Sequence, residues 1–211
     1  MQKQHHSFYL LLITFIAIVN ALIYSQYEKS FASAFYKIKN KIPDNATLQN
    51  GDIILRNGRG LISSVFRQSS LHQRVFSHAG FIHKMKNQVY IYHFIDDVTK
   101  SGLHIETLQH FINANECSAY AVFRYQLNTY EQQRLETIIA APRQNTIPFD
   151  SNFDLTTDSA LYCTEWIAKT LTKATQQTDF IPTTTVGALT YIAPDNLYLN
   201  AHCTLIYKSE N

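Results

Sequence analysis

Charge is scarce in this chain. Asp, Glu, Lys and Arg make up 16% of 211 residues, and the formal net charge is +2 with His neutral. No strong field and no basic stripe exist to hold nucleic acid, so that class of partner is excluded. Cysteine is scarce too. The three residues, Cys117, Cys163 and Cys203, form no CxxC pair, which argues against a zinc knuckle. An odd count leaves at least one thiol outside any intramolecular disulfide. Internal repeats and low-complexity runs are absent. What remains is apolar: 45% hydrophobic and 13% aromatic, mostly Tyr and Phe. This composition argues against disorder, and the length supports one ordinary domain with a real core rather than two large ones.

The longest uncharged run is Phe8 to Tyr24, FYLLLITFIAIVNALIY. Extended through Ser7 and Ser25 it reaches 19 residues, within the range of roughly 17–25 that a spanning helix needs. A secretory signal has a shorter apolar core, and the one small-residue cleavage candidate, Ala32-Ser33-Ala34, lies well beyond the run. The expectation is an uncleaved anchor over residues 1–27. Lysines flank the run on both sides, so the positive-inside rule does not fix its orientation. An exported, extracytoplasmic catalytic domain is the expected arrangement. Glu28 to Lys41 is amphipathic, with Phe31, Phe35 and Ile38 at helical spacing, and residues 28–47 read as a juxtamembrane helix or linker.

The remaining residues, 48–211, read as a single α+β domain. Short strands are expected at Asp52–Leu55, Ala79–His83, Gln88–Ile95, Leu103–Glu106, Tyr120–Tyr125 and Cys203–Tyr207. Asn57 to Gly60 reads as a loop and Lys86-Asn87 as a turn. Helices are expected at Leu61–Phe66, at a turn over Thr107–Ile112, from Thr129 (capping-box spacing to Gln132) to about Ala141, and from an Asp158 or Ser159 cap to about Lys173. Pro182 to Pro194 reads as loop-rich.

Two residues stand out chemically. Cys163 falls in the first turns of the last helix, where a helix N-terminus can lower a thiol pKa. The thiolate is the nucleophile, so a reactive Cys belongs there. A small buried core residue is the competing interpretation, and free Cys commonly plays that part. His78 sits where a loop enters a strand, a rigid position for a base. His93 lies on the next strand. If the two share a face, one ring orients the other, as in a catalytic triad. His83, five residues from His78, should face the opposite side. Although His is frequent between His72 and His110, no HxxxH or HExxH spacing occurs, so no metal and no cofactor are expected.

Taken in order, three segments resemble the permuted papain-like (YiiX-like) family of the NlpC superfamily. They are Asn50-Gly51-Asp52-Ile53-Ile54-Leu55 with the Ser-bearing helix after it, Ser77-His78-Ala79-Gly80-Phe81-Ile82, and Leu161-Tyr162-Cys163-Thr164-Glu165-Trp166. Gly102 to Leu108 also resembles the family's strand and following turn. The resemblance implies a circularly permuted papain-like fold, an antiparallel sheet or half-barrel packed on helices, with the His strands before the Cys helix. It implies Cys163 as nucleophile and His78 as base. The third polar position, usually Glu in the family, holds His93 here. Tyr162 and the Cys163 N–H are the candidate substrate and oxyanion contacts, and Glu165 reads as structural. The activity implied is a thiol hydrolase cleaving an amide in a peptide or cell-wall peptide, or an acyl ester. Relatives acting on lipid acyl groups, as hydrolase or acyltransferase, and an inactive binding or assembly module are the alternatives.

Overall fold

The computed structural model describes residues 42–96, 101–141 and 146–209, all within one compact unit, Asn40–Asn211. The apolar run Phe8–Tyr24 and the amphipathic segment Glu28–Lys41 lie outside the described residues. Among those described, no helix is long and apolar enough to cross a membrane.

The chain order is β1 (Ile53–Gly58), α1 (Leu61–Gln68), β2 (His78–Met85), β3 (Gln88–Asp96), β4 (Ser101–Thr107), α2 (Leu108–Phe111), β5 (Cys117–Tyr125), α3 (Thr129–Ile139), α4 (Cys163–Thr175), β6 (Thr184–Val186), β7 (Leu189–Tyr191), a 3₁₀ turn (Pro194–Leu197) and β8 (Cys203–Lys208). The main sheet is antiparallel throughout, in the order β4-β3-β2-β1-β5-β8, and β6 and β7 form a separate hairpin. This is an α+β fold.

Strand alternation divides the apolar residues between two cores. Ile53, Leu55, Ala79, Phe81, Tyr92 and Phe94 face α3 and α4. Ile54, Ile82, Val89, Ile91, Tyr120 and Val122 face the other way, toward α2. Trp166 of α4 is the keystone of the first core, with its ring centroid 5.1 Å from Phe81 and 5.3 Å from Phe94. It is fully buried, and its truncation to Ala should cost about 3–5 kcal/mol.

Several local expectations are corrected. β1 runs on through Asn57 and Gly58, because β5 continues to pair with it to Cys117. The cap of α3 is Asn128, whose Oδ1 accepts from Glu131 N at 3.0 Å while Glu131 Oε2 accepts from Asn128 N at 2.8 Å. The box is therefore one residue earlier than the Thr129 spacing suggests. Residues 182–194 are not only loop, since β6 and β7 lie within them. The largest shift concerns the last helix. Neither Asp158 nor Ser159 caps it. Asp150 accepts from Asn152 N at 2.8 Å and Asp154 N at 2.6 Å, and Asp154 accepts from Thr156 N at 2.9 Å. These turns consume the helix-start chemistry of the segment. Asp158 instead holds Lys169 at 3.0 Å and Lys173 at 2.8 Å. α4 begins at Cys163 itself.

Candidate active site

Cys163 is the first residue of α4, where backbone N–H groups have no carbonyl partner within the helix. Its thiol faces its own N–H, that of Thr164 and that of Ala79 on β2. The Ala79 N–H is free for this contact because of the sheet. Ile82 N donates to Asp52 O at 2.7 Å, so even-numbered residues of β2 bond to β1 and Ala79 points toward β3. The β2–β3 register ends at Phe81↔Tyr92, two residues short of Ala79. The sulfur fills that opening, alongside the peptide bond joining His78 to Ala79.

The start of α4 is fastened on three sides. Glu165 Oε2 accepts from Tyr162 N at 3.2 Å, and Lys169 Nζ lies 2.8 Å from Glu165 Oε1. Tyr162 Oη accepts from Ile192 N at 2.8 Å, and Thr164 Oγ1 donates to Ile192 O at 2.6 Å. Glu165 therefore serves as a brace. Tyr162 and Cys163 both line a cavity of about 540 Å³.

His78 opens β2, directly across from Arg56 on β1. Ser77 sets this junction, since its Oγ accepts from Gly58 N at 2.9 Å. His78 Nε2 is 2.7 Å from His93 Nδ1. The His78 ring stacks on Phe111 at 5.8 Å, and the His93 ring meets Phe111 edge-on at 5.1 Å. Gly80 permits this proximity. A Cβ there would lie 2.8 Å from Tyr92 O and 3.0 Å from His93 Cβ, so no larger residue lets β3 come as near. His83 faces the other side and packs on Tyr92.

His93 Nε2 lies 3.0 Å from Glu106 Oε1 on β4, and the other Glu106 oxygen contacts His110 Nδ1. Burial alone would raise the Glu106 carboxyl, but hydrogen bonds from His93 and His110 bring it down to about 2. Burial brings His93 down to about 4 against the pull of Glu106. Burial also holds His78 well below its usual value, and the positive fields of His93 and Arg56 add to that. Burial pushes the Cys163 thiol up to about 11, against the three N–H groups that favour the thiolate. At neutral pH the carboxylate is charged, while both imidazoles and the thiol are neutral.

That charge state fixes the protons. An ionised carboxylate only accepts, so a hydrogen on His93 Nε2 is favoured by the 3.0 Å contact, whose angle falls short of an aligned hydrogen bond. Neutral His93 then has its lone pair on Nδ1, and the hydrogen in the 2.7 Å contact belongs to His78 Nε2. The lone pair of His78 is left on Nδ1, the nitrogen available to take a proton. Among the described residues no hydrogen bond joins that ring to the Cys163 thiol. Alternation aims His78 at the Phe111 side, while Cys163 belongs to the α4 side. The two approach only at the end of β2, across the His78–Ala79 peptide.

A model of the permuted papain-like amidase enzymes, the YaeF/YiiX, C92 family, matches residues 47–198. The chain belongs to this family. Among solved structures, that of the metalloprotein YiiX from Escherichia coli O157:H7 aligns with a TM-score of 0.65 at 19% identity, covering 78% of this chain and 99% of that one. No curated protein matches the chain. The permuted amidase fold thus carries His78 on β2 and Cys163 on α4, in the order read from the sequence.

Glu106, Arg56 and Phe111 were not singled out in the sequence. Glu106 sits in the Gly102–Leu108 stretch that resembles the family's strand and following turn, but that resemblance gave it no role. It reaches the site only because Ile91 and Glu106 are cross-strand partners, beside His93 and His104. Sequence spacing gives no metal motif, yet side-chain donors of His93, His104 and Glu106 come within 4.8 Å of one another. Convergence across two strands leaves no helical spacing to read.

Proposed function

We propose that this chain is a cysteine hydrolase that cleaves an amide or acyl-ester bond through a Cys163 thioester, with His78 as base. The observation that carries this is the setting of Cys163: a thiol at a helix start, against three backbone N–H groups, beside the residue whose Nδ1 the Glu106–His93 chain leaves unprotonated. His78 Nδ1 takes the thiol proton after the Cys163 side chain turns toward the ring, which keeps its contact with His93. Catalytic hydrogen bonds commonly tighten only when substrate is present. The thiolate attacks the carbonyl carbon, and the oxyanion is held by the Cys163 N–H, one such donor contributing about 2.7–4 kcal/mol. Tyr162, whose hydroxyl already accepts from Ile192, supplies its hydroxyl hydrogen as a second donor. The tetrahedral species collapses, and the leaving group departs with the proton from His78. Water, deprotonated by His78, then frees the acid and the thiol. His93 is a positioning residue that fixes the His78 tautomer.

The solved YiiX structure is described as that of a metalloprotein. Two imidazoles and a carboxylate are a donor set that suits zinc, and His93, His104 and Glu106 would hold it here. Held there, it would draw His93 and Glu106 into its own coordination and away from their contact with each other.

The uncharged run Phe8–Tyr24 anchors the enzyme in a membrane, with the catalytic domain on the extracytoplasmic side. The test is labelling of the full chain by an acylating thiol probe. The wild type should label once, and Cys163→Ala should not. His78→Ala should slow labelling at neutral pH. Equal labelling of the wild type and the Cys163 variant would sink the assignment. Complete inertness of the wild type would favour an anchored binding module.

A further inference from the structure

We infer that the cavity beside Cys163 holds a fatty acyl chain, and that the substrate is a membrane glycerophospholipid. The inference rests on the proposed thioester chemistry and names the molecule it acts on. The cavity volume, about 540 Å³, is within the ordinary range for ligand sites. Its walls are apolar: Phe66, Leu71, Phe153, Tyr162, Leu189 and Tyr191 contribute. A peptide or cell-wall peptide would bring amide groups that need partners, and such walls offer few. An alkyl chain needs none.

The mouth is apolar as well. Of the side chains that line it, Val65 on α1 is 68% exposed and Leu71 50%, and Val186 and Leu189 flank the turn of the β6–β7 hairpin at 52% and 48%. Large apolar side chains left in water around one opening mark a surface that meets another apolar phase. The uncharged run Phe8–Tyr24 of the same chain supplies a bilayer as that phase. Arg74 is the one charged residue lining the cavity, and it is exposed. A cation at the rim of an apolar slot suits the phosphate of a lipid headgroup. Cys163 lines the same cavity as Arg74 and these apolar side chains. An ester carbonyl joining a buried chain to an anionic headgroup can therefore reach the sulfur.

The wall and the nucleophile are one unit. Ile192, which lines the cavity, is clamped by Tyr162 and Thr164 on either side of Cys163. The reaction balances without a further reagent. The Cys163 sulfur bonds to the acyl carbon, and the C–O bond to glycerol breaks. The lysophospholipid leaves with the proton from His78. Water then cleaves the S–C bond, giving a fatty acid and restoring the thiol.

The experiment uses the full chain in mixed micelles with phosphatidylglycerol, and separately with acetyl and hexadecanoyl p-nitrophenyl esters. Fatty acid release should depend on Cys163. The hexadecanoyl ester should be cleaved faster than the acetyl ester. Leu189→Glu should lower the hexadecanoyl-to-acetyl rate ratio by about tenfold or more, the value of an apolar side chain's contact. Arg74→Gln should lower the ratio of phosphatidylglycerol to hexadecanoyl ester turnover. That arm separates a headgroup site from a site for any acyl chain. Cys163-dependent cleavage of the acetyl ester without chain-length preference or fatty acid release overturns the acyl cavity and leaves the hydrolase intact. Faster cleavage of a peptidyl amide than of any lipid overturns it as well. Failure to cleave even the acetyl ester overturns the hydrolase itself.

Discussion

Replacing Glu106 by Gln tests the chain of protons most directly. The Glu106 carboxyl is lowered from 4.5 to about 2. At about 1.4 kcal/mol per pKa unit, its contacts favour the charged form by roughly 3 kcal/mol, net of a burial penalty that works against them. His93, His110 and the Arg56 field share that sum, so the His93 part is on the order of 1 kcal/mol, which is on the order of tenfold in the choice of tautomer. Gln can offer either its oxygen or its N–H₂ to His93. The bias that leaves His78 Nδ1 unprotonated is then lost. Acylation of Cys163 by a p-nitrophenyl ester should slow on the order of tenfold, with KM nearly unchanged. Stopped-flow release of p-nitrophenol from the full chain, beside thermal unfolding of the same samples, measures both quantities. Wild-type acylation by the Gln variant, or a loss matched by the unfolded fraction, refutes the tautomer argument.

Gly80→Ala should destabilise by about 1–3 kcal/mol in urea unfolding, because the new Cβ presses on the β3 backbone. It should lower activity further than its stability loss explains, since His93 is pushed from His78. Acid should weaken the fold from pH 6.5 downward. His93 ionises near 4 when folded and near 6.5 when unfolded, so the unfolded chain binds more protons as pH falls between these values. Loss of about 3 kcal/mol is complete below pH 4, and protonation of Glu106 adds to it from about 4.5 down. Urea midpoints at pH 7.5, 6, 5 and 4 read this out, and His93→Gln should flatten the slope. Zinc should slow acylation, and chelation should restore it. Zinc held by His93, His104 and Glu106 would take Glu106 from His93 and with it the bias on the His78 tautomer. Indifference to zinc would show that the three donors do not assemble around an ion.

Alternating apolar residues made β2, β3 and β5 legible in the sequence, because period-two burial is a local property. In the sequence, a shared face for His78 and His93 was only a condition, and the register Phe81↔Tyr92 across the Lys86-Asn87 turn meets it. The start of α4 was misread because Asp158 and Ser159 are good caps in isolation. Their side chains and neighbours go instead to turns and to Lys169 and Lys173, a choice made by distant packing. Glu106 and Arg56 were missed for a different reason. Each enters the site through cross-strand register, which a single strand does not encode. The lean of His78 toward Phe111 was likewise invisible, since it depends on where α2 folds back.

The three backbone N–H groups around the Cys163 sulfur do not overcome its burial, and this has a bearing on survival. Oxidation to sulfenic acid and alkylation both begin from the anion. A sulfur that keeps its hydrogen until a carbonyl compound arrives is chemically quiet. Such a chain can reside in an oxidising environment, exposed to peroxide and foreign electrophiles, and still answer when its own substrate comes.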